Sequence, residues 1–563
     1  MSFRRLLLFL LLLSATAAGA QERDSTEAYG DLDDLLESAA VDGDDEALAA
    51  RLEDLAARPL DLNSASADEI AVLPGISPLL ASAIVRFRES RATPLRALEQ
   101  LLAVDGITSD EISLMRPFVT FREPSPLRES LREAFSDIRV LGVHRVSTRV
   151  EESRGYSEGR YPGPRAGLLT RTRVLVGDKL QANLTLENDA GERIGFGDGR
   201  EGPADFTSAH LAIRDVGPVR ELVVGDFTTA FGEGLVVGRA GAIGKSREAT
   251  SGVGRAGSGI RPYGGSAETA FLRGAGARVA LPWNVSASAW ASIRDVDASL
   301  DSVGGVPVIL SISESGLHRT ESELDRRGAV ESRDVGAAVQ YEGDQASIGV
   351  VAAQRSYAFP VATTNGRFRR DPDPQADYRG IGVFGNVMVG EARLFGEIGV
   401  DGNGNRGGVG GVTARVGRGS TVLLHVRSAQ ASFDPVQNGA FAEQSAGLAS
   451  EEGLYLGLTT RLTPTLRLNF YADAYRLTAP SRFRARPTPG LDLLADVGWS
   501  PRRWARLDVT LRTEKRDDAV STFTPSGSEF AGVGSEYRSS VRIQGTYVYN
   551  DDVRLRLRGD VVR

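Results

Sequence analysis

The chain has 563 residues, a formal net charge of −8 and no cysteine. Without cysteine there are no disulfides, no thiolate nucleophile and no Cys-ligated metal, and the acidic balance does not advertise a nucleic-acid binder. With 64 Gly, 24 Pro and four His, the composition suits a loop-rich all-β protein better than a His-dependent enzyme.

Arg4 and Arg5 precede the apolar run Leu6 to Leu13, and Ala18-Gly19-Ala20 supplies an A-x-A cleavage pattern, so residues 1–20 are expected to be a signal peptide. The run is too short to cross a bilayer as a helix, and no Cys follows it to carry a lipid. Residues 21–60 form an acidic, partly helical lead in which Leu32, Leu35, Leu36, Leu48, Leu52 and Leu55 recur at roughly helical spacing among Asp and Glu. A solvated charged face and an interaction tail are both compatible with that pattern.

Residues 61–121 read as compact helices. Ser66-Ala67-Asp68-Glu69 is a capping box that starts a helix, which stops at Pro74-Gly75. Ser77 caps the next helix, with Pro78 at its first position and Leu80, Ile84 and Phe87 on its buried face. A second unit repeats the device: Leu98, Leu101 and Leu102 lead to Val104-Asp105-Gly106-Ile107, and Thr108-Ser109-Asp110-Glu111 starts a helix with Ile112 and Met115 inward.

After a linker at 122–137, the period changes to two from residue 138 to 563. Val174-Leu175-Val176 turns at Gly177-Asp178-Lys179 into the alternating Leu180 to Leu186. Further short turns fall near Asp215-Val216-Gly217-Pro218, Leu281-Pro282-Trp283-Asn284, Glu342-Gly343-Asp344, Val389-Gly390-Glu391, Gly417-Arg418-Gly419, Thr463-Pro464, Ser500-Pro501-Arg502 and Asn550-Asp551-Asp552. Between them lie long polar segments at 151–167, 188–207, 228–269, 295–333, 356–377, 430–452, 477–489 and 515–537.

Alternating short and long connections are the layout of an outer-membrane barrel, with short periplasmic turns and long extracellular loops. No charge-free apolar run after residue 20 is long enough for a spanning helix, so membrane insertion must use strands. Strands of about 8 to 11 residues fit a tilted crossing. Tyr455, Phe470, Tyr471, Tyr475, Trp499, Trp504, Tyr547 and Tyr549 are candidates for interfacial girdles, or ordinary strand aromatics.

The expected fold is therefore mainly β: a transmembrane antiparallel barrel of about 18–20 strands preceded by a small all-α domain. The count comes most simply to nineteen, against the even number normal in single-chain bacterial barrels. That points to a misread strand near 295–333 or to a chain that stops one strand early. The end, Asp560-Val561-Val562-Arg563, lacks a terminal aromatic.

Leu62-Asn63-Ser64-Ala65, Leu73-Pro74-Gly75-Ile76, Ala83-Ile84-Val85, Phe87-Arg88, Leu98, Val104-Asp105-Gly106-Ile107 and Met115-Arg116-Pro117-Phe118 together resemble the paired helix-hairpin-helix domain of the periplasmic DNA receptor of bacterial competence. The resemblance implies non-sequence-specific DNA contact, with phosphates held by Gly75, Ile76 and Ser77 in one hairpin, Gly106, Ile107 and Thr108 in the other, and Arg86 and Arg88 assisting. Helix N-termini are ready anion sites, which makes such contact physically sound. Ser77 and Thr108 stand where the family usually has a second Gly. Acidic residues outnumber basic ones between Asp61 and Phe121, so weak binding at physiological salt is expected.

The remainder, through Leu186-Glu187-Asn188-Asp189-Ala190-Gly191-Glu192, Gly244-Lys245-Ser246, Gly259-Ile260-Arg261-Pro262-Tyr263 and Gly316-Leu317-His318-Arg319-Thr320, resembles a family of Bacteroidota-type outer-membrane proteins that carry the same module.

Gly238 to Ser246 nearly spells a phosphate-binding loop, but Arg239 occupies the position of a required Gly and the strand-loop-helix context is missing. The basic cluster Arg239, Lys245, Arg247, Arg255 and Arg261 is expected in an extracellular loop or folded into the lumen as a constriction, where it would favour anions, or as solvated charge. His144, His210, His318 and His425 show no metal spacing, and Asp473, Asp492, Asp496 and Asp508 alternate as lumen-facing residues would. No catalytic constellation, metal site or cofactor is expected. Two functions follow: a barrel in the outer-membrane lipid whose periplasmic module binds DNA, with a place in DNA uptake, or a structural or secretion-associated barrel whose module docks a periplasmic protein.

Overall fold

The computed structural model describes residues 52, 55–56, 59–107, 109–121, 137–194, 204–238, 245–254, 257–343, 345–362, 375–417, 419–444, 447–479, 487–502, 504–523, 529–549 and 553–563. The signal-peptide expectation, nearly all of the acidic lead, the linker, and Thr108, Arg239 and Arg255 lie outside the described residues.

The helical module is closed by its own ends, because β1 (Leu60–Asp61) pairs in parallel with β2 (Val119–Thr120). The capping box forms as the sequence dictates: the Ser66 hydroxyl accepts from the Glu69 amide while Glu69 accepts from the Ser66 amide, starting α1 (Ala67–Ile70). Ser77 accepts from the Leu80 amide at the start of α2 (Pro78–Glu89). A 3-10 turn at Leu98–Ala103 leads to α3 (Ser109–Met115). Leu62, Ile70, Leu73, Ile76, Ile84, Leu101 and Met115 form one fully buried core. Gly75 and Gly106, at φ +73° and +95°, take the left-handed turns that connect the helices, a conformation a side chain would strain.

The second body is a closed barrel sheet of 22 strands. In chain order these are β3 (Ile138–Thr148), β4 (Ala166–Val176), β5 (Leu180–Asn188), β6 (Phe206–Val216), β7 (Val219–Ala230), β8 (Gly259–Pro262), β9 (Leu272–Leu281) and β10 (Val285–Val296). There follow β11 (Ala298–Val303), β12 (Val306–Ile312), β13 (Val330–Glu342), β14 (Ala346–Val361), β15 (Gln375–Val389), β16 (Ala392–Asp401), β17 (Arg406–Arg415) and β18 (Ser420–Ala429). The wall finishes with β19 (Glu451–Thr463), β20 (Leu466–Leu477), β21 (Thr488–Arg502), β22 (Ala505–Phe523), β23 (Glu529–Val548) and β24 (Arg554–Val562). Two short helices, α4 (Arg154–Ser157) and α5 (Glu321–Leu324), lie in long connections. Among the described residues no helix is long and apolar enough to cross a membrane.

Three strands do not circle the lumen. β7 pairs with β9 past the short β8, and β10 pairs with β13 past the β11–β12 hairpin. Nineteen described strands remain, within the expected range, and every step between them is antiparallel from β3 to β24. An odd number closed in this way brings β24 beside β3 running in the same direction.

Alternation sorts the side chains. On β16, Arg393, Phe395, Glu397 and Asp401 are buried inward while Leu394, Ile398 and Val400 are exposed outward, and the other strands supply Leu211, Val339, Ile381, Val426 and Leu456 to the same outer apolar band. Of the aromatics considered for girdles, Trp499, Trp504, Tyr547 and Tyr549 are exposed near the short-turn rim. Tyr455, Tyr471 and Tyr475 instead point into the lumen and are buried, because they share their strand parity with inward Asp473.

Several connections differ from expectation. The segment 295–333 contains β11, β12 and α5, and 228–269 contains β8. The segment 515–537 is largely strand: β22 and β23 run 19 and 20 residues, because their ladder pairs continuously to Phe523↔Glu529 beyond the length a bilayer requires. Pro501 sits within the end of β21, where the ladder shifts register between Trp499 and Arg502 and no amide donor is needed.

Candidate functional site

The helical module sits against the rim formed by the short turns. Arg415, at the end of β17, donates to the Asp105 carbonyl at 2.6 Å, and Arg461, near the end of β19, reaches Glu111 at 2.9 Å. Arg261 on β8 reaches Glu69 at 3.3 Å. Asp68 lines a small cavity with Gly232, Glu233 and Gly257, so the start of α1 meets the chain that fills the lumen. Burial pushes the Asp68 carboxyl above its ordinary range, against the pull of Arg393 and Arg278. Burial also opposes ionisation of Glu69, but Arg214, Arg278 and the Ser66 hydrogen bonds outweigh it and hold Glu69 below its ordinary value.

This docking bears directly on the hairpins. Gly75 lies at the first turn, where a Cβ would meet Leu114, and Ile76 is buried in the module core. The Ser77 hydroxyl is used as a helix cap. At the second turn Ile107 is buried, and a Cβ on Gly106 would lie 3.2 Å from the Arg415 guanidinium. Arg86 is half-buried on α2, while Arg88 donates to the Leu62 and Ala65 carbonyls at 3.0 and 2.6 Å and so holds the module together.

The chain between β7 and β8 folds into the lumen. Glu397 on β16 accepts from the amides of Glu233, Leu235 and Val236 at 2.8, 3.0 and 3.2 Å, pinning the start of this segment. Val236 fits there only because Gly380 and Gly399 are bare: a Cβ at either would come within 2.7 Å of its methyl groups. Further along, Tyr455 donates to the Ala249 carbonyl and Arg393 to that of Gly254. A second inward segment, between β18 and β19, joins it through a bridge between Val237 and Gln437.

Lys245 is therefore a lumen residue, but its charge is spent. Its Nζ reaches Asp473 at 2.8 Å, Asp492 at 3.2 Å and Glu443, and Arg427 completes the network through Asp473 and Glu451. Of the three described members of the expected basic cluster, Arg247 is half-buried on the lumen segment near Lys245, while Arg261 lies apart from both and faces Glu69 and Glu221 on another wall.

A constellation that spacing did not disclose lies at the long-loop rim. His318 is buried between Asp205 and Asp297, its amide donates to Glu192, and Glu268 completes the group. Two overlapping trios, Glu192-Asp205-His318 and Glu268-Asp297-His318, are close enough to hold a metal ion. Burial disfavours the imidazolium, but hydrogen bonds to Asp205 and Asp297 outweigh it and push His318 up to about 10. Burial, together with Asp205, Asp297 and Glu192, pushes Glu268 to about 9 despite the opposing pull of His318. The local signal in the sequence was the capping box Thr320 to Glu323, which forms and anchors the turn after His318. Its carboxylate partners come from three other connections.

Residues 56–120 match the helix-hairpin-helix motif family. That match covers the whole module from β1 to β2. No curated protein matches the chain. Among solved structures, the chain is similar to an anion-selective porin from Comamonas acidovorans, at 13% identity and TM-score 0.27, covering 70% of this chain and 89% of that one. It is also similar to OccK9 (OpdG) of Pseudomonas aeruginosa, at 12% identity and TM-score 0.33, covering 75% and 99%. Wzi, a carbohydrate-binding β-barrel outer-membrane protein involved in group 1 capsule assembly in Escherichia coli, gives 11% identity and TM-score 0.33 over 86% and 96%. Likenesses this distant carry no functional argument.

Proposed function

We propose that the protein lies in the bacterial outer membrane, with its helical module in the periplasm, and passes solute through a lumen narrowed by its own loops, the docked module serving as a periplasmic stopper. The observation that carries this is the contact of Arg415, Arg461 and Arg261, from three places on the barrel, with Asp105, Glu111 and Glu69 of the module. The barrel is the docking partner these module residues engage. Supporting it, the short-turn rim is the periplasmic one in outer-membrane barrels. The test is single-channel conductance of the full chain in planar bilayers against the variant R415Q/R461Q. Release of the module is expected to raise the open probability, and equal conductance of the two, or none in either, rejects the stopper.

A second reading, DNA capture, is favoured by the helix-hairpin-helix match across both turns. A phosphate at the Gly106 turn would compete with Arg415 for the same place. Duplex DNA titrated at low salt into the detergent-solubilised full chain tests it, with binding expected to tighten in R415Q and to weaken on substitution of Gly75. Absence of binding in both proteins rejects it.

A further inference from the structure

The group around His318 is assembled from four connections at the long-loop rim, and its hydrogen bonds divide it into two sides. On one side the ring Nδ1–H donates to Asp205, a buried carboxylate whose other oxygen meets Arg327 at 3.1 Å. That contact fixes the tautomer and the angle of the ring and leaves Nε2 as the nitrogen that can act as a ligand. Glu192 belongs to the same support: its oxygens accept from the amides of His318 at 2.8 Å and Asp189 at 2.7 Å, which holds the turn that carries the ring.

The other side carries Nε2, Asp297 and Glu268. Asp297 Oδ2 lies 2.8 Å from Nε2, while its Oδ1 accepts from the Gly328 amide at 2.8 Å, so main chain as well as ring aims this carboxylate. Glu268 brings an oxygen within 4.8 Å of both ligand atoms. It can lie there because Gly316, two residues before His318, is bare: a Cβ would fall 2.7 Å from the Glu268 carboxyl carbon. Arg294 holds the Glu268 main-chain carbonyl at 3.0 Å.

An imidazolium has two N–H donors, and Asp205 and Asp297 take both. Among the described residues no hydrogen bond or ion pair reaches the part-buried carboxylate of Glu268. A proton on the ring therefore accounts for two carboxylates and leaves the third without a donor. A metal ion accounts for Nε2, Asp297 and Glu268 together. Metal bonds of about 2.0–2.2 Å to nitrogen and oxygen set neighbouring ligand atoms roughly 3 Å apart. The Nε2–Asp297 spacing already matches that edge, and a shift of the Glu268 side chain by roughly 1–2 Å completes the set.

We infer that His318 Nε2, Asp297 and Glu268 form a site for a divalent cation of the zinc class at the long-loop rim, its remaining positions open to water. One imidazole nitrogen with two carboxylate oxygens suits zinc, whereas calcium and magnesium take oxygen ligands. The cation replaces the Nε2 proton, which leaves to water, and the Nδ1 proton stays on Asp205. Without the ion the ring keeps both protons between its two aspartates. Binding ties together three connections that lie far apart in the chain, whether or not the barrel conducts solute.

The test uses the untagged full chain in detergent, stripped with EDTA and titrated with zinc against a chromophoric chelator. A single zinc ion per chain is expected. Because the Glu268 carboxylate holds no hydrogen bond, E268Q keeps the surrounding fold, and its affinity is expected to fall roughly tenfold or more. H318Q is expected to abolish binding, and H144Q, at an exposed histidine on β3, to leave it unchanged. Cobalt(II) in place of zinc is expected to give visible absorption in the wild type and none in H318Q. Hydrogen exchange around Asp297 and His318 is expected to slow when zinc is added. Zinc binding equal in wild type, E268Q and H318Q marks an adventitious ion only and overturns the site, as does the absence of binding. Loss in H318Q but not in E268Q overturns the three-ligand arrangement, and calcium that displaces zinc at equal concentration overturns the zinc class.

Discussion

Arg415 of the barrel donates to the main-chain carbonyl of Asp105, 310 residues earlier in the chain, and in doing so places its guanidinium against Gly106 of the second hairpin. One bond thus joins the two bodies and covers the second glycine turn of the module. Arg461 and Glu111 lie beside it as a second pin.

Docking of this kind is electrostatic and should loosen with salt. The Arg415 bond and the partly exposed Arg461–Glu111 pair contribute about 1 kcal/mol each, so R415Q/R461Q is expected to shift undocking by roughly 5- to 30-fold. Because the chain has no native cysteine, E111C/R461C can be bridged by a short bismaleimide without background. Efficient bridging at low salt, reduced at high salt and by R415Q, is expected, and failure to bridge at any salt contradicts the docked arrangement.

Glu397 holds three amides of the lumen segment with one carboxylate. In E397Q the amide half of the side chain faces donors it cannot accept from, a loss of about 1–3 kcal/mol. Hydrogen exchange at Glu233, Leu235 and Val236 should then accelerate by one to two orders of magnitude while the β16 and β17 ladder amides stay protected. Uniform acceleration across the barrel would mean that the segment does not depend on this anchor.

The His318 knot should respond to base. A folded-state value near 10 lies above the ordinary 6.5, so its stabilisation is present in full below about pH 6.5, declines as pH rises, and is gone once pH passes about 10. Facing the ring are Asp205, Asp297, Glu192 and Glu268, with Arg327 on Asp205. Glu268, held at about 9, favours the protonated state and acts in the same direction. The His318 imidazole resonances of labelled protein should titrate near 10, and H318Q should flatten the pH dependence of exchange in the surrounding loops. Titration near 6.5 would show that the ring is not enclosed by these carboxylates.

Much of this architecture was written locally. The capping boxes at Ser66 and Thr320 form within a few residues, because both partners of each bond lie on one helical turn. Strand parity was equally local: Tyr471, Asp473 and Tyr475 alternate in sequence and share the lumen face, so the burial of those tyrosines was legible wherever Asp473 was read as inward. What spacing misjudged was where ladders end, at β22 and β23, and which long connections hide strands, at β8, β11 and β12.

By itself the sequence determined the barrel class, the helical module, the caps, the glycine turns and the in-or-out parity of each strand, since all depend on dihedral preference and period over a few residues. Only the tertiary structure decided that Lys245 lies among Asp473, Asp492 and Glu443, that His318 lies among four carboxylates, and that Arg415 covers the Gly106 turn. Those meetings join residues from separate connections, and charge in a closed lumen is settled by which segments fold inward, a choice that no local pattern encodes.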